Sequence, residues 1–213
     1  MIKILVLCDD NWHPGEVICR GLEDWKDSYA FDFVFDAKDI LTKEMLAQYP
    51  VVMNCKSDCL TNGNDAPWFE EGVTEVGPKE LEEYVRDGGT LLSVHAANVS
   101  NQAYGELVGN RFVSHPPRCE VTLKFEGQHV IGEGMEDFTV RDEHYQIEML
   151  APDADIFLYS ESLTGGRQVA GYTRVLGKGK ICVLTPGHIL AVWKNENFRR
   201  LLDRSLQWGL AAL

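Results

Sequence analysis

The sequence contains no long apolar run. Nothing in its 213 residues approaches the roughly 20 consecutive apolar positions that a membrane helix needs. The apolar segment at residues 2–7 is too short for a secretion signal with its cleavage site, and Asp9-Asp10 follows at once. The expected location is therefore the cytoplasm. Basic residues are scarce: 20 Lys and Arg stand against 33 Asp and Glu, a formal charge of −13. Nucleic-acid surfaces need clustered Lys and Arg, so that partner is not expected, and the same charge disfavours anionic membranes. Cysteine supplies no framework either. Cys55 and Cys59 are separated by three residues rather than two, a weak zinc or redox signal, and all six thiols are read as reduced. There is no His-Glu-x-x-His motif, no repeat, no low-complexity segment and no linker, so residues 1–213 are read as one domain.

What is present centres on residues 88–98. Gly88-Gly89 ends a helix, and Thr90 to Val94 is a short apolar run typical of a buried parallel strand. His95 follows, then two alanines small enough for a helix to start close behind the strand. A titratable side chain there would sit at the carboxyl end of a central strand, where open α/β sheets place ligands.

Taken in order, residues 2–8 predict a first strand and Asp9 to Gly15 a polar loop. Ile18, Leu22 and Trp25 recur with helix period. Residues 30–35 and 51–54 predict strands, and 39–48 a short helix between them. Residues 55–77 form a long irregular loop, in which Trp68 and Phe69 fit either a lid or a simple anchor. Pro78 opens the helix that Gly88 stops, and Asn98 or Ser100 caps the next, which ends near Gly109. The texture then changes. Val121, Leu123 and Phe125 alternate with polar neighbours, as do Phe138 and Val140, which predicts half-buried antiparallel strands. Residues 156–159 predict another strand, and 168–174 with 180–185 a hairpin. Phe198, Leu201, Leu202 and Leu206 define a final helix. The fold class is α/β: three layers, a mostly parallel central sheet and a β-rich insertion.

Polar groups cluster after the buried strands. Strand one is followed by Asp10 and His13, the central strand by His95, and the last strand by His188. If these strands are parallel, three of six histidines share one sheet edge. The segment Asp142-Glu143-His144-Tyr145 could reach that edge from the insertion. His115 reads as a turn residue beside Pro116-Pro117, His129 as structural, and His144 as pointing away from Glu143 and Tyr145. Two chemistries fit. His13, His95 and His188 form an imidazole set suited to a divalent ion such as zinc, with Glu143 as acid, base or ligand. Alternatively, His and Glu act as general base and acid without metal.

Ser93-Val94-His95-Ala96-Ala97, His115-Pro116, Asp142-Glu143-His144-Tyr145, Gly177-Lys178-Gly179-Lys180, Pro186-Gly187-His188 and the terminal Phe198-Arg199-Arg200 to Trp208 together resemble the ThuA-like family, named for trehalose utilisation. The resemblance implies a flavodoxin-like sheet similar to that of class I glutamine amidotransferases. In those enzymes a Cys stands on the elbow after the central strand. Here His95 occupies that place, His188 matches the histidine after the last strand, and none of the six cysteines lies at the elbow. Glutamine hydrolysis through a thioester is therefore not expected. The resemblance implies a small carbohydrate, a disaccharide or keto-sugar, as ligand, with His95, His188, Glu143, Tyr145 and His13 in the site. The expected function is an enzyme acting on a sugar or keto-sugar. The alternatives are a non-catalytic sugar-binding domain, in which Trp12, Trp68, Tyr145 or Trp193 stacks on the ring, and a degenerate amidotransferase partner. Apolar residues from Leu210 to Leu213 permit a homodimer, and a packed tail explains them equally.

Overall fold

The first strand, β1 (Ile2–Leu7), lies in the middle of the parallel half of a sheet, with all its side chains from Ile4 onward buried. It is seen in a computed structural model that describes residues 1–25, 28–38, 40–60 and 70–212. Trp68, Phe69, the Asn62 to Asp65 segment, Asp39 and Leu213 lie outside the described residues.

Helix α1 (Gly15–Leu22) is followed by a single 3₁₀ turn that buries Trp25, and then by β2 (Tyr29–Val34). The helix expected over 39–48 is shorter: α2 (Lys43–Leu46) starts where the Thr42 hydroxyl accepts the Met45 N–H. Next come β3 (Val51–Asn54), α3 (Pro78–Arg86) and β4 (Thr90–Val94). The segment after β4 is not yet an α-helix. His95–Asn98 form a 3₁₀ turn, and α4 (Gln102–Val108) is capped by Asn101 rather than Asn98 or Ser100. Asn98 is occupied elsewhere, donating to the His95 and Leu184 carbonyls. The remaining elements are β5 (Asn110–Ser114), β6 (Cys119–Phe125), β7 (Phe138–Asp142), β8 (Gln146–Met149), β9 (Asp155–Ser162), β10 (Gly166–Leu176), β11 (Gly179–Leu184), α5 (Leu190–Trp193) and α6 (Glu196–Leu210).

Among the described residues, the sheet has nine strands in the order β2-β1-β3-β4-β11-β10-β9-β6-β7. Pairing from β2 to β11 is parallel, and from β11 to β7 antiparallel. The sheet is thus divided evenly rather than mostly parallel. The strands expected in a separate insertion instead prolong it, because β10 folds back on β11 with Leu176 opposite Gly179. Among the described residues, only β5 and β8 stand apart, as a two-stranded ribbon that alternation alone did not reveal.

Side chains alternate across this sheet into two cores. Ile4, Val6 and Cys8 join α1, α5 and α6 on one face, while Leu5 and Leu7 join α2, α3 and α4 on the other. The end of α6 is pinned to the far edge, where Lys180 donates to the Trp208 and Ala211 carbonyls and Thr90 to that of Gly209. Leu210 packs against the first core. Among the described residues, no helix is long and apolar enough to cross a membrane. Neighbours β2 and β3 flank β1 on opposite sides, which opens a crevice at the carboxyl ends of the parallel strands.

Candidate functional site

The loop leaving β1 is built around two aspartates. Asp9 takes a left-handed backbone (φ +76°), and its carboxylate accepts the Gly15 N–H at the start of α1 (2.7 Å). Asp10 Oδ1 accepts the N–H groups of Trp12 (2.8 Å) and His13 (2.9 Å), and Oδ2 accepts that of Ser57, beyond β3 (2.9 Å). The same carboxylate holds His13 Nδ1 at 2.8 Å. Burial pushes the Asp10 carboxyl up, but the His13 contact and these N–H donors outweigh it and hold the group below its usual range. His13 Nδ1 therefore donates to Asp10, and Nε2 lies outside that contact.

His95 lies directly after β4, again with a left-handed backbone (φ +44°), and is 2% exposed. For a non-glycine residue this conformation is strained, and such strain gathers at functional sites. Its Nδ1 lies 2.8 Å from the Thr185 carbonyl, which can only accept, so Nδ1 is the donor in that contact and Nε2 is the nitrogen that faces His188 and Glu143. Gly187 (φ +136°) makes the room: a Cβ there would stand 3.3 Å from His95 Cβ.

The last strand brings in His188 through the same corner. The Gly187 and His188 N–H groups donate to Asp142, at the end of β7, at 2.7 and 3.1 Å. Asp142 thus ties the insertion to the corner after β11, and burial raises its carboxyl pKa against these donors and His95. Glu143 follows at once. Its Oε2 lies 3.2 Å from His188 Nδ1 and 3.5 Å from His95 Nε2, and His95 Nε2 is 3.3 Å from His188 Nδ1. Burial pushes Glu143 up, but hydrogen bonding and charge from His95, with His188 and His115, hold it below the usual range. His188 is pushed down to about 4, chiefly by burial. At neutral pH the pair is an ionised carboxylate beside a neutral imidazole. Tyr145 stacks on His95 with ring centres 4.2 Å apart. Burial, then the charges of Glu143, Asp10 and Asp142, raise its pKa, so its hydroxyl stays protonated and is a donor.

His13, Glu143, Tyr145 and His188 floor a cavity of about 420 Å³ whose walls include Trp12, Val99, Phe112 and His115, and His95 lies beneath it. All five residues expected in the site, His13, His95, His188, Glu143 and Tyr145, converge here. One ligand atom from each of His13, His95, Glu143 and His188 lies within 4.8 Å of the others, so these are the residues able to hold a metal ion. His115 was read as a turn residue and belongs to the site instead. Its Nε2 is 3.6 Å from Glu143 Oε2, and its ring faces Tyr145 at 5.6 Å. The signal that could have found it is its place directly after β5, a strand the reading missed. Trp193 does not line this cavity. It is buried beneath it, and its indole N–H donates to the Gly187 carbonyl (2.7 Å), so it braces the corner rather than offering a stacking face. His144 points away as expected, onto the Ser160 and Ser162 hydroxyls, and His129 packs on Phe157.

The cavity faces the carboxyl ends of β1, β4 and β11. No curated protein matches the sequence. Among solved structures, a ThuA-like protein from Bacteroides uniformis superposes with a TM-score of 0.71 at 16% identity, covering 98% of this chain and 91% of its own. A ThuA-like protein from Parabacteroides merdae gives 0.73 at 19% identity, covering 99% and 90%. A β-galactosidase from Bacillus circulans sp. alkalophilus gives 0.64 at 11% identity, covering 97% of this chain but 31% of that one. At these identities the likeness establishes the fold alone. The sequence itself matches the profile of the ThuA family, described as trehalose utilisation, over residues 3–209. The chain belongs to the ThuA family.

Proposed function

We propose that this protein is a carbohydrate-metabolism enzyme that acts on a small uncharged sugar or keto-sugar by acid–base or metal-assisted chemistry. The observation that carries the reading is the convergence of an ionised Glu143 with a neutral His188 and two further imidazoles at an aromatic-walled cavity. No Lys or Arg is among the described residues lining it, which suits a neutral ring better than a phosphate ester. Trp12, Phe112 and Tyr145 offer flat apolar faces of the kind that sugar rings stack on, while the His and Glu atoms supply directional polar contacts. The family's description as trehalose utilisation supports the same ligand class.

A keto-sugar has an acidic C–H beside its carbonyl. In the acid–base form of the step, without metal, the Glu143 carboxylate accepts that proton, and the C–H electron pair moves toward the carbonyl oxygen. Tyr145 or a site imidazole donates a hydrogen bond to the oxygen as charge builds there. Elimination or isomerisation then proceeds from the enol. The parallel order β2-β1-β3-β4-β11 follows the 2-1-3-4-5 pattern of flavodoxin-like sheets. The corner after β4 carries His95 where an amidotransferase would carry its thiol, and this supports leaving glutamine hydrolysis aside.

The test is incubation of the purified protein with 3-keto-trehalose or a 3-keto-glucoside, followed by NMR. The expected outcome is a new product, with turnover reduced at least ~100-fold in His95→Ala and His188→Ala. Saturable sugar binding with no product would favour a binding domain. Unchanged turnover in both variants would overturn the assignment of roles.

A further inference from the structure

We infer that His13, His95, His188 and Glu143 form a divalent transition-metal centre, for which zinc is the best match. The first argument is spacing. On a tetrahedral zinc with bonds of about 2.0–2.1 Å, ligand atoms stand about 3.3 Å apart. His188 Nδ1 to Glu143 Oε2 is 3.2 Å, His95 Nε2 to His188 Nδ1 is 3.3 Å and His95 Nε2 to Glu143 Oε2 is 3.5 Å. His13 closes the group, with all four ligand atoms within 4.8 Å of one another. The three imidazole centres form a nearly equilateral triangle with sides of 5.2, 5.2 and 5.3 Å, their planes steeply inclined to one another.

The second argument is the outer hydrogen bonds. His13 Nδ1 is held by the Asp10 carboxylate, and His95 Nδ1 by the Thr185 carbonyl. Both rings therefore leave Nε2 outside those contacts, and Glu143 adds a carboxylate oxygen to the group. Two imidazoles fixed from behind in this way, beside a carboxylate and a third imidazole, make the arrangement that a cation completes. Those outer partners are of the kind that orient metal-binding histidines: a carboxylate on one, a backbone carbonyl on another. Asp142 holds the backbone of His188 through its N–H. A mixed set of three imidazoles and one carboxylate suits zinc and neighbouring first-row ions. His13, His188 and Glu143 line the cavity while His95 lies below, so a ligand would approach the ion from the cavity side.

The inference concerns the same site as the sugar reading, and its test is built to fail separately. Untagged protein is purified without chelator and its metal content measured by mass spectrometry. It is then stripped with dipicolinate and titrated with Co²⁺, whose visible bands report four-coordinate binding. The expected result is about one equivalent of divalent metal and Co²⁺ bands that disappear in His188→Ala. Asp10→Asn, which keeps the loop's size but weakens the hold on His13, should lower Co²⁺ affinity 10–100-fold. Circular dichroism confirms that each variant is folded; His188 is partly exposed and the safer deletion. Background metal together with absent Co²⁺ bands in folded wild type overturns the proposal, as does unchanged affinity in His188→Ala. A loaded centre without turnover of any keto-sugar upholds the metal and removes the sugar reading. Turnover by metal-free protein that binds no Co²⁺ does the reverse.

Discussion

Gly187 shows how narrowly the site is specified at the scale of one residue. It sits between the last strand and His188, its backbone is left-handed, and the space a side chain would take belongs to His95. Gly187→Ala is expected to destabilise the fold by about 1–3 kcal/mol through backbone strain, and to displace His95 as well. Urea unfolding reads the first effect and keto-sugar turnover the second. His129 gives a prediction about pH. Its Nδ1 accepts the Ile131 N–H (3.2 Å), its Nε2 bonds the Thr173 hydroxyl (3.0 Å), and its ring stacks on Phe157. Burial lowers its pKa below the usual 6.5 despite the opposing charge of Asp155. The folded state thus binds fewer protons than the unfolded one below that pH. Stability should fall as pH drops from about 6.5 toward the folded pKa. Denaturation at pH 7 and 5 should show this loss in the wild type and a smaller one in His129→Gln.

Corners and loops, more than strands or helices, carry the working parts at the scale of elements. The corner after β11 is braced from below by Trp193. In Trp193→Phe the buried Gly187 carbonyl loses its donor, and a loss of about 1–3 kcal/mol in unfolding free energy is expected. The segment after β3 is held by a buried ion pair, Lys56 Nζ to Glu75 at 3.3 Å, with Lys56 also donating to the Phe35 carbonyl at 2.8 Å. Glu75→Ala strands that ammonium and should cost about 3–5 kcal/mol, while the apolar pair Lys56→Met with Glu75→Leu should recover most of it. Sequence periodicity was a good guide to the strands because their faces are buried in alternation. It was a poor guide to the loops, where residue type is set by single hydrogen bonds. His115 beside two prolines has the composition of a turn, and only the distance to Glu143 gives it a role. Asp142 looked like part of a polar cluster, but its use is to accept two backbone N–H groups from a segment some 45 positions away.

For the whole molecule, the parallel half and its carboxyl-edge histidines were legible because each strand carries its own apolar run and its own following residue. The antiparallel half was legible as strands but not as an extension of the same sheet. Which neighbour an alternating strand pairs with depends on partners distant in sequence, and alternation is silent about them. The convergence of Glu143 on the histidines was expected only as a reach from the insertion. The structure accounts for it by placing β7 at the far edge while its end returns, through Asp142, to the corner after β11.

The strand order has a consequence for how the chain matures. β11 enters between β4 and β10, although it is the last strand to be made. Until residues 179–184 emerge from the ribosome, β4 has an unpaired edge in the middle of the sheet, and His188 and the Thr185 carbonyl that orients His95 do not yet exist. The histidine cluster is thus completed only late in synthesis, and a chain stalled before residue 179 would expose a sticky seam to aggregation and carry no finished cluster.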